Sequence, residues 1–102
     1  MSDVGTAGML HWYSAAPERD SLFELCAAVA GPDDTVVLLG EGVRAALAAG
    51  PALPDRVTWL AMKTDLAAQG IAENQLKASV GLIETDELVR LACRYPKVQS
   101  WP

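Results

Sequence analysis

Two cysteines, one histidine, a glycine-rich turn and an acidic cluster hold the chemistry this chain could perform. Cys26 and Cys93 could carry sulfur or act as nucleophiles, but only as thiolates, so their surroundings decide their use. His11 is the single histidine, the residue type that exchanges a proton near neutral pH. Gly40-Glu41-Gly42-Val43-Arg44-Ala45 has the G-x-G-x-x-A spacing with which a tight turn brings a dinucleotide pyrophosphate to a helix N-terminus. Glu84-Thr85-Asp86-Glu87 could gather a cation, or simply cap a helix and complement its dipole.

The elements that must position these residues follow from periodicity and punctuation. Met9–Tyr13 reads as a first strand and Ser14–Asp20, with Pro17, as a loop. Ser21-Leu22-Phe23-Glu24 has capping-box spacing and opens a helix that runs to about Ala30 and stops at Gly31-Pro32. Thr35–Leu39 is a short β-branched run of the kind buried on both faces of a sheet. A helix from about Glu41 to Ala49 is expected next, closed by Gly50-Pro51, and Val57–Ala61 is a third strand. Thr64-Asp65 is positioned to cap a short helix ending at Gly70, a residue suited to the left-handed C′ position. Ile71–Lys77 is ambiguous between the two periods. Ser79–Ile83 is a fourth strand, Thr85 caps a helix from Asp86 to about Tyr95, Pro96 ends it, and Lys97–Trp101 is a last strand.

Five strands separated by four helical segments require parallel pairing, because each crossover carries a helix over the sheet. The expected fold is a single α/β domain with a mostly parallel five-stranded sheet flanked by helices, spanning residues 9–102 after a flexible leader of residues 1–8. A chain of 102 residues with 51% hydrophobic and 21% charged residues fits one packed core. A domain this small leaves roughly a third of its unfolded-chain surface unburied, so part of the apolar content is expected to meet a partner.

These elements set the candidate residues in context. On a helix of 3.6 residues per turn, Leu25, Val29, Leu22, Cys26, Ala30 and Phe23 form one apolar arc with Cys26 near its middle, beyond the first turn where the helix dipole would lower a thiol pKa. Cys26 is thus expected to be buried and inert. Cys93 lies at the edge of its helix's arc near Arg90 and Arg94, whose pull toward thiolate is opposed by the helix C-terminus. His11 has no Ser, Cys or acidic neighbour in sequence and reads as structural. Glu41 would repel a pyrophosphate, and the third strand ends in Ala61-Met62-Lys63 with no acid for a ribose hydroxyl, so the glycine turn argues weakly for a nucleotide-binding module. Trp12, Trp59 and Trp101 read as core or interface anchors.

No cofactor is implied, and no metal-ligand spacing appears. The net charge of −5, with its eight basic residues scattered, argues against direct binding to nucleic acid or to an anionic membrane surface. No stretch approaches the ~18 apolar residues of a membrane span, the first residues do not resemble a signal peptide, and the widely spaced cysteines do not form a disulfide framework. The expected compartment is the cytoplasm.

Taken in order, several segments together resemble the TusB/DsrH family of sulfur-relay subunits. They are Met9-Leu10-His11, the apolar strand into Gly40–Leu47, the strand–Thr64-Asp65-Leu66–Gly70 unit, Ile83–Val89, and the closing Val98-Gln99-Ser100-Trp101. The resemblance spans Met9 to Trp101. It implies a DsrE-like α/β fold and a non-autonomous, accessory place in a heterohexamer with sister subunits of the TusC/TusD or DsrE/DsrF type, a sulfurtransferase complex handing persulfide sulfur to a downstream acceptor protein. The sulfur would go to tRNA wobble 2-thiouridine or enter intracellular sulfur oxidation. The resemblance also places the principal sulfur-accepting cysteine on a sister subunit. Cys26 resembles the first-helix cysteine of DsrH-type members and is the residue it marks as a direct persulfide carrier.

Overall fold

In the computed structural model, which describes residues 8–18 and 21–102, five strands form one sheet. They are β1 (Leu10–Tyr13), β2 (Thr35–Leu38), β3 (Thr58–Met62), β4 (Val80–Ile83) and β5 (Val98–Trp101). Their spatial order is β4-β3-β2-β1-β5, and every pairing is parallel. The connections carry helix α1 (Leu22–Val29), a 3-10 segment (Gly40–Ala46), helix α2 (Lys63–Ala68) and helix α3 (Thr85–Arg94). The chain therefore builds outward from β1 through β4, and α3 returns it to the opposite side of β1. The expected α/β class and parallel sheet are both present.

Strand alternation sorts the side chains into two cores. Tyr13, Val36, Leu38, Trp59, Ala61 and Val80 join Phe23 and Cys26 on one face. Leu10, Val37, Met62 and Ile83 occupy the other, where Leu88, Leu91 and Ala92 of α3 and Tyr95 just after it pack on them. All four residues of β2 are buried, as its unbroken β-branched run requires. The first core centres on aromatic contacts: Phe23 meets Tyr13 edge-on at 5.2 Å and Trp59 at 5.6 Å between ring centroids.

Several local expectations are corrected. Ser21 does not cap α1: it adopts φ 62°, and its side chain makes no cap hydrogen bond, because an N-cap side chain reaches the helix amides from an extended backbone. The segment after β2 is a 3-10 run of seven residues, not an α-helix to Ala49. Its start is pressed against the end of β1, where a Cβ on Gly42 would lie 2.3 Å from the Tyr13 carbonyl oxygen. Its end is drawn away early, since Leu47 bridges Leu76 and the Ala48 amide donates to Gln75. That same pairing accounts for the ambiguous stretch, which holds one 3-10 turn at Glu73–Gln75.

The helix after β3 begins at Lys63, so Thr64 and Asp65 lie inside its first turn rather than capping it. Gly70 does take the left-handed conformation, with φ +72°. Glu84, not Thr85, precedes α3, and its amide donates to the Glu87 carboxylate at 3.0 Å. On α1 the apolar arc is only half covered. Phe23 and Cys26 are buried while Leu25 and Val29 are exposed. Of the expected leader and the loop after β1, residues 1–7 and 19–20 lie outside the described residues. Gly8 already packs against Asp33.

Candidate functional site

Cys26 sits in the second turn of α1, on its inner face, with 0% of its surface exposed. Burial pushes its thiol up to about 12, and the negative charge of Asp34 adds to the effect. At neutral pH the thiol therefore stays protonated, and the thiolate is the form that attacks or accepts sulfur. The helical arc thus located Cys26 correctly, and its surroundings disarm it as a nucleophile. Cys93 is exposed on α3, in its last turn.

His11, also 0% exposed, joins three separate segments. The Trp101 indole Nε1 donates to its Nδ1 at 3.0 Å, and its Nε2 lies 2.9 Å from Asp34 Oδ2. An indole N–H can only donate, so Nδ1 must accept and the ring proton resides on Nε2, which donates to the carboxylate. Asp34 further accepts the Met9 amide at 2.9 Å and the Gly31 amide at 3.0 Å. Burial pulls the Asp34 carboxyl upward, but the His11 hydrogen bond, the two backbone amides and the attraction of His11 outweigh it, holding the group below its ordinary value. Sequence proximity could not show these partners, which stand 23 and 90 positions from His11. The one available signal was Asp34 directly before the short β-branched run of β2.

A cleft of about 410 Å³ opens beside this cluster, lined by Met9, His11, Val29, Asp34, Pro96 and Lys97. It lies where β1, β2 and β5 begin. Open α/β sheets receive ligands at the opposite, carboxyl ends of their strands. At those ends a second cleft of about 340 Å³ is lined by Pro17, Glu18, Arg44, Leu47 and Pro51 among others, and there the Arg44 guanidinium pairs with Glu18 at 2.6 Å.

The glycine turn is spent on its own chain. The Gly40 amide donates to Asp65 at 2.9 Å and the Gly42 amide to the Leu39 carbonyl at 2.7 Å. Those two amides are unavailable to a pyrophosphate, and Asp65 adds a second negative charge beside Glu41. The acidic cluster likewise acts within the fold: Glu87 holds the Glu84 amide, Asp86 pairs with Arg90 at 3.1 Å, and Glu84 lies 3.9 Å from Lys63. Among the described residues no group of three or more His, Cys, Asp or Glu side chains is placed to hold a metal. Trp59 is buried with its indole donating to the Pro54 carbonyl, and Trp12 and Trp101 are half-buried.

Comparison with known proteins bears on the same arrangement. A family model described as DsrH like protein matches residues 15–98. Among solved structures, protein Tm0979 from Thermotoga maritima is similar at 29% identity and a TM-score of 0.62, over 82% of this chain and 90% of that one. The ychN protein from E. coli shares the fold, with a TM-score of 0.73 at 19% identity over 92% of this chain and 98% of that one. No curated protein matches significantly.

Proposed function

The chain belongs to the DsrH-like family and is a sulfur-relay subunit, and from that premise we propose that it works without a nucleophile of its own, shaping the surroundings of a persulfide held by a sister subunit. The observation that carries this reading is Cys26. It is fully buried and its thiol is pushed up to about 12. Persulfide transfer needs an acceptor thiolate to attack the outer sulfur of a donor persulfide, making a new S–S bond as the donor cysteine leaves as a thiolate. A neutral, enclosed thiol is a poor partner for either step.

The proposed assembly is a cytoplasmic heterohexamer with subunits of the TusC/TusD or DsrE/DsrF type, delivering sulfur to a downstream acceptor protein. Its support is the distribution of apolar surface. Leu25, Val29, Val89 and Val98 are 44–57% exposed. Val98 lies in edge strand β5, Val89 on the helix leading into it, and Val29 shares a cleft with Pro96 and Lys97 at its root. Among the described residues no helix is long and apolar enough to cross a membrane.

Co-expression with the sister subunits and sizing of the product tests the assembly: one stable complex is expected, and a persistent monomer would overturn it. Loading that complex with a sulfur donor and mapping the added sulfur by mass spectrometry tests the chemistry. Sulfur is expected on a sister cysteine, and stoichiometric sulfur on Cys26 would instead establish this chain as a direct carrier. Neighbouring genes decide the destination, since sulfite reductase genes mark sulfur oxidation and their absence marks tRNA thiolation.

A further inference from the structure

The ring of His11 is level with Val36 of β2 and Gln99 of β5, enclosed on the face that carries the larger core. Trp101 ends β5, an edge strand whose other residues, Val98, Gln99 and Ser100, are exposed. The strand is tied to the domain by its ladder with β1, by the packing of Trp101 on the core, and by the indole hydrogen bond to His11. We propose that His11 is a proton-operated latch on β5: its neutral ring accepts the Trp101 indole, and its protonated ring releases it.

The chemistry is forced by the donor inventory. A protonated imidazole carries hydrogen on both nitrogens and can accept nothing. Nδ1–H would then face the indole N–H, donor against donor. The other side of the ring is indifferent to the change, because Asp34 accepts from Nε2 in either state. Protonation therefore leaves the His11–Asp34 bond in place and confines the disruption to Trp101.

Three titratable groups surround the ring. Asp34, from the loop entering β2, accepts from its Nε2. Lys97, from the turn before β5, lines the same cleft. Cys26, from α1, feels the charge of Asp34 but stays a neutral thiol. Val36 and Gln99, the ladder neighbours, are uncharged. The latch is closed above the protonation midpoint of His11 and open below it.

The test follows the Trp101 indole N–H and the His11 ring nitrogens by NMR in the full chain, from about pH 8 to about pH 5, the interval in which histidines commonly titrate. At the upper end the ring should be the Nε2–H tautomer with a protected indole. As His11 protonates, indole exchange should quicken at least about fivefold, the scale of one lost hydrogen bond, with the same midpoint as the ring. His11→Gln offers an amide oxygen to the indole and an amide N–H to Asp34 at any pH, so its indole protection should stay flat. Trp101→Phe removes the bond that favours the neutral ring, so His11 should protonate at higher pH. Indole protection that persists through the His11 titration would overturn the latch, as would an unchanged His11 midpoint in Trp101→Phe. The second arm decides the matter if His11→Gln fails to fold.

Discussion

Burial acts in opposite chemical senses on two residues of the same core. Cys26 lies in the apolar core with the negative charge of Asp34 near enough to act on it, so enclosure silences it. His11 is equally enclosed, yet both ring nitrogens are hydrogen-bonded, so enclosure fixes its tautomer. The first outcome was legible in the sequence, because a helical arc depends only on spacing along one element. The second was not, because its partners arrive from the loop entering β2 and from β5, and proximity in sequence carries no trace of them. Two predictions belong at this scale. Iodoacetamide should modify Cys93 in the native protein and reach Cys26 only on unfolding, as read by peptide mass spectrometry; rapid native modification of Cys26 would contradict its burial. Asp34→Asn should destabilise the domain by roughly 1–3 kcal/mol at neutral pH, since an amide NH₂ must face one of the three donors that the carboxylate accepts. The Asp34 carboxyl is held below its ordinary value, so its contribution is complete above the usual carboxylate range and is lost as pH falls through the lowered native value. Urea unfolding should therefore show the variant and the parent converging in acid below about pH 4.

At the scale of elements, the strands were the legible part and the connections were not. β2 declares itself through Thr35-Val36-Val37-Leu38, and the other strands through short apolar runs between punctuating Gly and Pro. The segment from Gly40 failed as a helix because the deciding contact is tertiary: the Gly42 backbone lies against the Tyr13 carbonyl, and Leu47 is claimed by Leu76. The Ser21 capping box failed for a related reason, in that residue type and spacing suggest a cap but only the backbone angle permits one. Two glycines make this distinction measurable. Gly42→Ala would push a methyl into backbone and should cost about 1–3 kcal/mol or more, as overpacking does. Gly70 has φ +72° but open space around it, so Gly70→Ala should cost only the left-handed backbone penalty of about 1–2 kcal/mol. Chemical denaturation should rank Gly42→Ala as the more damaging; the reverse order would mean that close approach to β1 is not what holds the 3-10 segment.

At the scale of the molecule, the sheet order leaves β5 alone on one side of β1, and the exposed large apolar side chains lie on β5, α1 and α3. Leu25 and Val29 are successive turns of one ridge on α1, left bare because the helix turns Phe23 and Cys26 inward instead. An arc that looked like a core face in sequence is therefore divided between core and surface. Helical spacing cannot place that division, which depends on how far the helix is rolled over the sheet. For an isolated domain the bare half is surplus apolar surface, whereas for a subunit it is contact area. Leu25→Asp combined with Val29→Asp separates these meanings. Neither side chain is buried within the domain, so the unfolding free energy should move by no more than about 0.5 kcal/mol per site. If the ridge seats a sister subunit, burying two carboxylates there should weaken assembly at least tenfold, about 1.4 kcal/mol or more. Titration of the variant against the co-expressed sister subunits, with the parent chain alongside, reads that ratio directly. Equal affinity would move the proposed contact away from α1 and leave Val89 of α3 and Val98 of β5 to account for it.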